Sequence, residues 1–420
     1  MPRQTISEKI LSRKAGRTVR AGDVAVCEAD VVLGTDASTP MAIEYFEQMG
    51  GTRVAAPDRV LFALDHYTPP LTARTAAFHD TVREFAARHG CAVAETGGGI
   101  SHQIAAESGR VVPGDLVVGA DSHAVMCGAL GAFATGIGSS DLAAALLTGK
   151  VWLRVPESLE VVLTGVLPAG VAAKDIALAL LAVLGADGAL YQSLEFHGSG
   201  SAALPMDDRL VLSNMAVESG AKAALFPADD TTRAFLAERS DRPYAAVVPD
   251  AEATYAGELV IDLSTLTPAV ALPHEPDNVT SVHDAPHTPV HMVFLGTCTG
   301  GRVRDFRDAL AVLEAGGGIS PDVQLVVTPA SREVLRELEG DGTMERFVRM
   351  GAVITPPGCG PCCGTSGPIP ENGMNVVSTA NRNFKARMGN ASASIFLASP
   401  ATCAAAAVRG RIVDPREVTG

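Results

Sequence analysis

The sequence predicts an α/β fold built from three α/β domains, and three observations carry the prediction. Strand-like apolar runs alternate with helical ones: Val24 to Leu33 precedes the helical stretch Met41 to Met49, and Val60 to Leu64 follows it. The chain is rich in Ala and has 42 Gly but only 5% aromatic residues, a composition suited to helices packed closely on sheets and joined by tight turns. Two short stretches, Val155-Pro156-Glu157 and Pro273-His274-Glu275-Pro276-Asp277-Asn278, read as linkers. They divide the 420 residues into 1–157, 158–272 and 273–420, and 47% hydrophobic residues supply ample cores for each part.

Taken in order, Thr5 to Ala15 reads as a short amphipathic helix with Thr5 or Ser7 as N-cap and Gly16 as its stop. Val24 to Leu33 alternates loosely like one strand, and Asp36-Ala37-Ser38-Thr39-Pro40 turns into the next helix. That turn reads as a plain N-cap, although a helix N-terminus facing a cleft also receives anions. Val60 to Leu64 is a buried strand that delivers Asp65-His66 at its C-terminal end, where functional groups of parallel sheets gather. Ala92 to Glu95 leads into Gly97-Gly98-Gly99-Ile100-Ser101-His102-Gln103, and Leu116 to Val118 into Gly119-Ala120-Asp121-Ser122-His123. One Asp-His pair is commonly a satisfied loop histidine; three histidines at three strand ends point to a shared site.

Gly136-Ile137-Gly138 opens a helix running to Leu147 but lacks the third Gly and the distal acidic residue of a dinucleotide fingerprint, so it reads as close packing. Leu159 to Leu163 begins the second part, and Ala172 to Leu184 is its helix. If Leu212 to Glu218 is helical, Asn214 and Glu218 share a face, by default a solvated one.

With 33 basic and 47 acidic residues the net charge is −14, which gives counterion release little to work with and argues against nucleic acid as a partner. Eight unevenly spread cysteines do not form a disulfide framework, and the N-terminus lacks an apolar signal core, so the cytoplasm is the expected location. The longest apolar helical run, Ile176 to Leu184, is too short to span a membrane.

The densest chemistry lies in the last third. Gly296-Thr297-Cys298-Thr299-Gly300-Gly301-Arg302 is followed by Gly358-Cys359-Gly360-Pro361-Cys362-Cys363-Gly364 and then by Asn381-Arg382-Asn383-Phe384-Lys385-Ala386-Arg387. Alone, the Cys-x-x-Cys is open to a zinc half-site, a redox pair or two buried thiols. Zinc wants four ligands in two knuckles, whereas here the further cysteine stands alone in a Gly-rich turn beside an Arg-rich motif. Three thiolates so arranged can hold three corners of a 4Fe-4S cube and leave one iron without a protein ligand, an open Lewis acid. Adjacency to Cys362 keeps Cys363 out of that set.

These motifs resemble those of the aconitase and isopropylmalate dehydratase superfamily: Gly-Ser-Cys-Thr-Asn, Cys-Gly-Pro-Cys and Ser-x-Asn-Arg-Asn-Phe-x-Gly-Arg. The resemblance covers nearly the whole chain and is closest to the large subunit of the two-subunit isopropylmalate/homoaconitate type. Gly300 stands for the usual Asn, Ala386 for Gly, Ala124 for Thr and Cys363 for an apolar residue. The resemblance implies three domains around a central cluster cleft, with Cys298, Cys359 and Cys362 as cluster ligands. It implies that His66, oriented by Asp65, protonates a leaving hydroxyl, and that His102 and His123, backed by Asp121 and Glu218, hold water at the iron; which carboxylate backs which histidine stays open. It implies further that Asn214 and Glu218 support these histidines. On the same resemblance Ser122, Asn214, Asn381, Arg382 and Arg387 are expected to bind a small di- or tricarboxylic acid, the arginines as planar forks.

The expected activity is reversible dehydration of a substrate such as isopropylmalate. Alternatives are a related hydro-lyase acting on another malate or citrate homologue and a non-enzymatic iron-sensing protein. Single-chain relatives carry a swivelling domain that supplies a serine base, and here the chain ends 33 residues beyond Arg387. A separate small subunit is therefore expected to supply that domain and base; an internal base would fall first to Ser122 or Ser378.

Overall fold

The computed structural model describes residues 3–420. Three larger sheets follow one another along the chain. The first is all parallel, in the order Ala92–Ala94, Val60–Ala63, Val31–Thr35, Leu116–Gly119, Phe133–Gly136. A second parallel sheet orders Ala223–Leu225, Ser193–His197, Ser158–Thr164 and Gly257–Asp262. The third has seven strands, five of them parallel around Met292–Gly296 and Asn375–Ser378, with an antiparallel hairpin at one edge. Central strands such as Val31–Thr35 and Met292–Gly296 are buried throughout, which is why they read as unbroken apolar runs.

The first helix, Ile6–Ala15, forms as expected. Thr5 and Glu8 make a reciprocal capping box, and Gly16 closes the helix at φ 65°. Four expectations change. The run Val24 to Leu33 is not one strand: Val24–Glu28 pairs antiparallel with Lys150–Arg154, while Val31–Thr35 enters the first large sheet. The break falls where the pattern passes from alternating exposed and buried residues to continuous burial, so each half suits a different sheet. The turn before helix Thr39–Gln48 is not a side-chain N-cap either, because Ser38 Oγ lies 3.0 Å from Thr35 Oγ1 instead of capping the helix.

Pro273 to Asn278, expected as a linker between parts, is the loop of the edge hairpin Ala269–Ala271 and Val279–Ser281 in the third sheet. Asn214 lies in helix Met206–Met215 and Glu218 in the 3-10 turn that follows; both are buried, not on a solvated face. At Gly136 a Cβ would lie 2.9 Å from Ser122 Cα, so the close-packing reading of Gly136-Ile137-Gly138 stands: the missing side chain lets a strand end abut the Asp121-Ser122 turn. The first and third sheets are tied by Ile100 N donating to Ala330 O and Arg332 N to Gly98 O, both at 2.9 Å. Among the described residues no helix is long and apolar enough to cross a membrane.

Candidate active site

The strand Val60–Ala63 delivers Asp65, which is fully buried and bonded on both oxygens. One lies 2.8 Å from His66 Nδ1 and the other accepts from Ser101 N at 2.8 Å. His66 is held further by Asp36, at the end of the neighbouring strand, which accepts from the backbone N–H of His66 and of Tyr67 at 2.9 Å and bonds His79 Nε2 at 2.9 Å. Cys359 N donates to Asp65 O at 2.8 Å and Thr365 Oγ1 to His66 O at 2.6 Å, so the cysteine loop is sewn to the histidine turn. One ligating atom each of Asp65, His66 and Cys359 falls within 4.8 Å of the others. Burial opposes charge on His66, but Cys359 and Asp65 outweigh it and hold the imidazole well above its ordinary range; burial pushes Asp65 up to about 6.

His102 and His123 stand with ring centroids 6.4 Å apart. His123 Nε2 is 2.8 Å from Glu218 Oε1, and its Nδ1 is 3.5 Å from Asp121 Oδ1. The other Asp121 oxygen faces His66 Nε2 at 3.8 Å. The open question of pairing thus has a geometric answer: Glu218 backs His123, and Asp121 sits between His123 and His66. His102 has no carboxylate partner. Both of its ring nitrogens are buried without a hydrogen bond, and burial pushes its pKa down to about 4. For Glu218, burial is outweighed by His123 and Arg382, which hold the carboxyl below its usual range.

Cys298 follows the strand Met292–Gly296, and Cys362 lies in the 3-10 turn Gly360–Cys363. Between them sits the Asn381 side chain, with Nδ2 3.3 Å from Cys298 Sγ and Oδ1 3.8 Å from Cys362 Sγ. Asn214 Oδ1 accepts from the same Nδ2 at 2.5 Å. Cys363 instead lies 2.8 Å from Thr365 Oγ1. No cysteine is in a disulfide, and burial pushes Cys298 up to about 11. Arg387 Nη2 is 3.5 Å from Cys362 Sγ and its Nε has no partner, whereas Arg382 Nε is committed to Glu218 Oε2 at 2.8 Å. Ser122 is half-buried at the start of its 3-10 segment, and Ser378 is fully buried with Oγ accepting from Ala380 N.

Two departures from the motif have local explanations. A Cβ at Gly300 would lie 2.3 Å from Thr379 Cβ, so the loop trades a side chain for that contact. Ala386 adopts φ 66°, the left-handed region that Gly occupies without strain.

Sequence reading missed Asp36, Lys174 and Arg302. Arg302 is 2% exposed and donates to Cys298 O at 2.8 Å, while its Nε and Nη1 have no partner. Lys174 left a trace: a cation in the first turn of helix Ala173–Leu184 opposes the helix dipole, which asks for a reason elsewhere.

The fold and this centre define a class, a three-sheet α/β protein that brings strand-end histidines, carboxylates and three unpaired thiols together. A model of the aconitase family (aconitate hydratase) matches residues 8–410, and the chain belongs to that family. It is 46% identical over 416 residues to 3-isopropylmalate dehydratase large subunit 1 of Thermotoga maritima, covering 98% of this chain and 99% of that one. Large subunit 1 of Methanopyrus kandleri is 44% identical over 414 residues, covering 98% and 99%, and large subunit 2 of Archaeoglobus fulgidus 46% over 415, covering 99% of both. Aconitase X of Thermococcus kodakaraensis, in its holo-form structure, shares the fold at TM-score 0.51 and 13% identity, over 85% of this chain and 84% of that one.

Proposed function

We propose that this chain is the catalytic large subunit of an iron-sulfur hydro-lyase that reversibly dehydrates isopropylmalate or a close homologue. The observation that carries the reading is the Asn381 amide seated between Cys298 and Cys362, with Cys359 beside His66. The donor set fits a cluster: Cys298 and Cys362 flank the Asn381 amide, Cys359 lies beside His66, and no cysteine is in a disulfide. When bound by Cys298, Cys359 and Cys362, a 4Fe-4S cluster with one iron free of protein ligands supplies Lewis acidity toward the substrate hydroxyl and carboxylate.

The remaining work falls to the chain. His66 Nε2, with Nδ1 fixed by Asp65, delivers the proton to the leaving hydroxyl. His102 offers two free ring nitrogens and His123, fixed by Glu218 and Asp121, an oriented ring, so together they hold the water that leaves or enters. Arg387, whose Nε lacks a partner, binds a substrate carboxylate; Arg382 uses Nε for Glu218 and presents its terminal nitrogens to substrate. Asn214, Asn381 and Ser122 orient the rest. The base that takes the carbon-bound proton comes from a separate small subunit, a partner supported by the relatives' names as large subunits. The chain works in the cell interior, and the three sheets support a division into three domains with the first boundary near 157 and the second before Ala269 instead of at 272, since strand Ala269–Ala271 belongs to the third sheet.

Anaerobic reconstitution of the chain, followed by EPR of the reduced cluster with and without isopropylmalate and other malate homologues, tests the reading. A substrate-dependent change of the signal supports it. Failure to take up iron and sulfide, or a signal indifferent to every 2-hydroxy acid tried, would overturn it.

A further inference from the structure

Lys174 is 1% exposed, yet among the described residues it forms no ion pair with any carboxylate. Its Nζ donates to Thr379 O at 2.8 Å, Ala380 O at 3.0 Å and Thr299 Oγ1 at 3.0 Å. The Thr299 hydroxyl spends its own proton on Thr379 O at 2.8 Å, so toward Lys174 it can only accept. Three oxygen acceptors around one nitrogen, with Met215 Sδ at 3.8 Å besides, suit an ammonium better than a neutral amine. Burial pulls its pKa down to about 8, which still leaves it charged at neutral pH.

A buried charge without a counter-charge is costly, and dipoles alone offset only part of the loss. The neighbouring acids are poor candidates. Asp175 accepts from the N–H of Ala172 and Ala269 and is pushed up to about 7 by burial, as is Asp305; burial also raises Cys403. Lys174 instead bonds Thr299, the residue after Cys298, and Ala380, the residue before Asn381, whose amide lies between Cys298 and Cys362. The loops that Lys174 clamps, 297–299 and 379–381, carry Cys298 and Asn381.

We propose that Lys174 is a positioning residue whose fixed positive charge balances the negative cluster-thiolate assembly from behind, while its three hydrogen bonds lock the Cys298 loop to the Asn381 loop. This rests on the cluster reading above. A cation at this place favours the more negative, reduced cluster, so it raises the cluster's midpoint potential, and it helps to retain the cluster.

The test compares wild type with Lys174→Met, Lys174→Gln, Lys174→Arg and Thr299→Val, each purified with and without anaerobic reconstitution. An EPR-monitored redox titration gives the midpoint potential, bleaching of the brown chromophore under a chelator gives retention, and thermal melting of the cluster-free chain gives the fold. Both neutral variants should still fold without cluster, melting below wild type through loss of the loop-locking hydrogen bonds, titrate at lower potential when loaded, and bleach severalfold faster. Lys174→Arg should keep the wild-type potential, and so should Thr299→Val, which removes one acceptor but leaves the charge. An unchanged potential in loaded neutral variants would overturn the inference. So would neutral variants that fail to fold without cluster while Lys174→Arg folds, because the counter-charge would then lie in the protein. If wild type takes up no cluster, the functional reading fails instead.

Discussion

Glu218 lies 2.8 Å from His123 through one carboxylate oxygen, and its other oxygen accepts from Arg382, so a buried carboxylate couples the His123 ring to the Arg382 guanidinium. Its side chain is 3% exposed. Glu218→Gln puts an amide N–H against one of these two donors and leaves Arg382 without its counter-charge. Breaking a buried charged pair in this way costs about 3 kcal/mol. The expected outcome is a lower melting temperature for the cluster-free chain, together with a fall in kcat/KM in the complete enzyme. A variant with unchanged melting and activity would remove Glu218 from the site.

The three-ligand reading of the cysteines makes a sharper forecast. Serine at Cys298, Cys359 or Cys362 should abolish the brown chromophore after reconstitution, whereas Cys363→Ser should keep it. Cys363 lies 2.8 Å from Thr365 Oγ1 and 3.8 Å from Gly360 O, while Cys298 and Cys362 flank Asn381 and Cys359 faces His66. Equal loss of absorbance at Cys363 would sink the assignment.

How far the site could be read from sequence depended on distance along the chain. His66, His102 and His123 follow parallel strands at turns rich in Gly and polar residues, and the cysteines are framed by Gly, so their signals are local. Asp36, although also at a strand end, and Lys174, whose one trace is its place in a first helical turn, act at long range: Asp36 meets the His66 backbone across 30 residues and Lys174 meets Thr299 and Thr379 across 125 and 205. Proline at Pro273 and Pro276 marks an interruption but does not tell a hairpin loop from a linker; pairing of Ala269–Ala271 with Val279–Ser281 does. In Val24 to Leu33 the change of period was legible, but only pairing with Lys150–Arg154 shows that the first half belongs elsewhere.

His102 sets a pH limit on the cluster-free chain. Its folded pKa of about 4 lies below the ordinary 6.5, so the unfolded chain binds the proton more readily. Stability from this group is complete above pH 6.5 and falls as pH drops toward 4. Replacing His102 by Gln, which does not titrate, should flatten that part of the curve. Denaturant melts between pH 4 and 7 check this; an equally steep curve in the variant assigns the acid sensitivity to other groups.

Arg387 has a buried Nε without a partner and an Nη2 bonded to Cys362 Sγ, and the proposed function gives it a substrate carboxylate. Lysine cannot reproduce a two-point grip on a carboxylate. Arg387→Lys should therefore lose about 2 kcal/mol or more of transition-state stabilisation in kcat/KM while melting normally. Near-normal turnover in a folded Arg387→Lys enzyme would move the carboxylate grip to Arg382.

The last expectation concerns the missing base. Dehydration needs a group to take the carbon-bound proton on the face opposite the metal. Each nearby carboxylate already has a partner: Asp36 holds the His66 backbone and His79, Asp65 holds His66 and Ser101 N, Asp121 holds His123 N at 2.7 Å, and Glu218 joins His123 to Arg382. Ser378 is fully buried and spends its Oγ on Ala380 N, which leaves half-buried Ser122 as the only one of the two serine candidates with solvent access. Loaded with cluster but assayed alone, the chain should turn over isopropylmalate negligibly, and addition of a small subunit from a two-subunit relative should restore activity. Substantial turnover by the chain alone would refute the need for a partner. Its loss in Ser122→Ala, with the cluster's absorbance intact, would then place the base at Ser122.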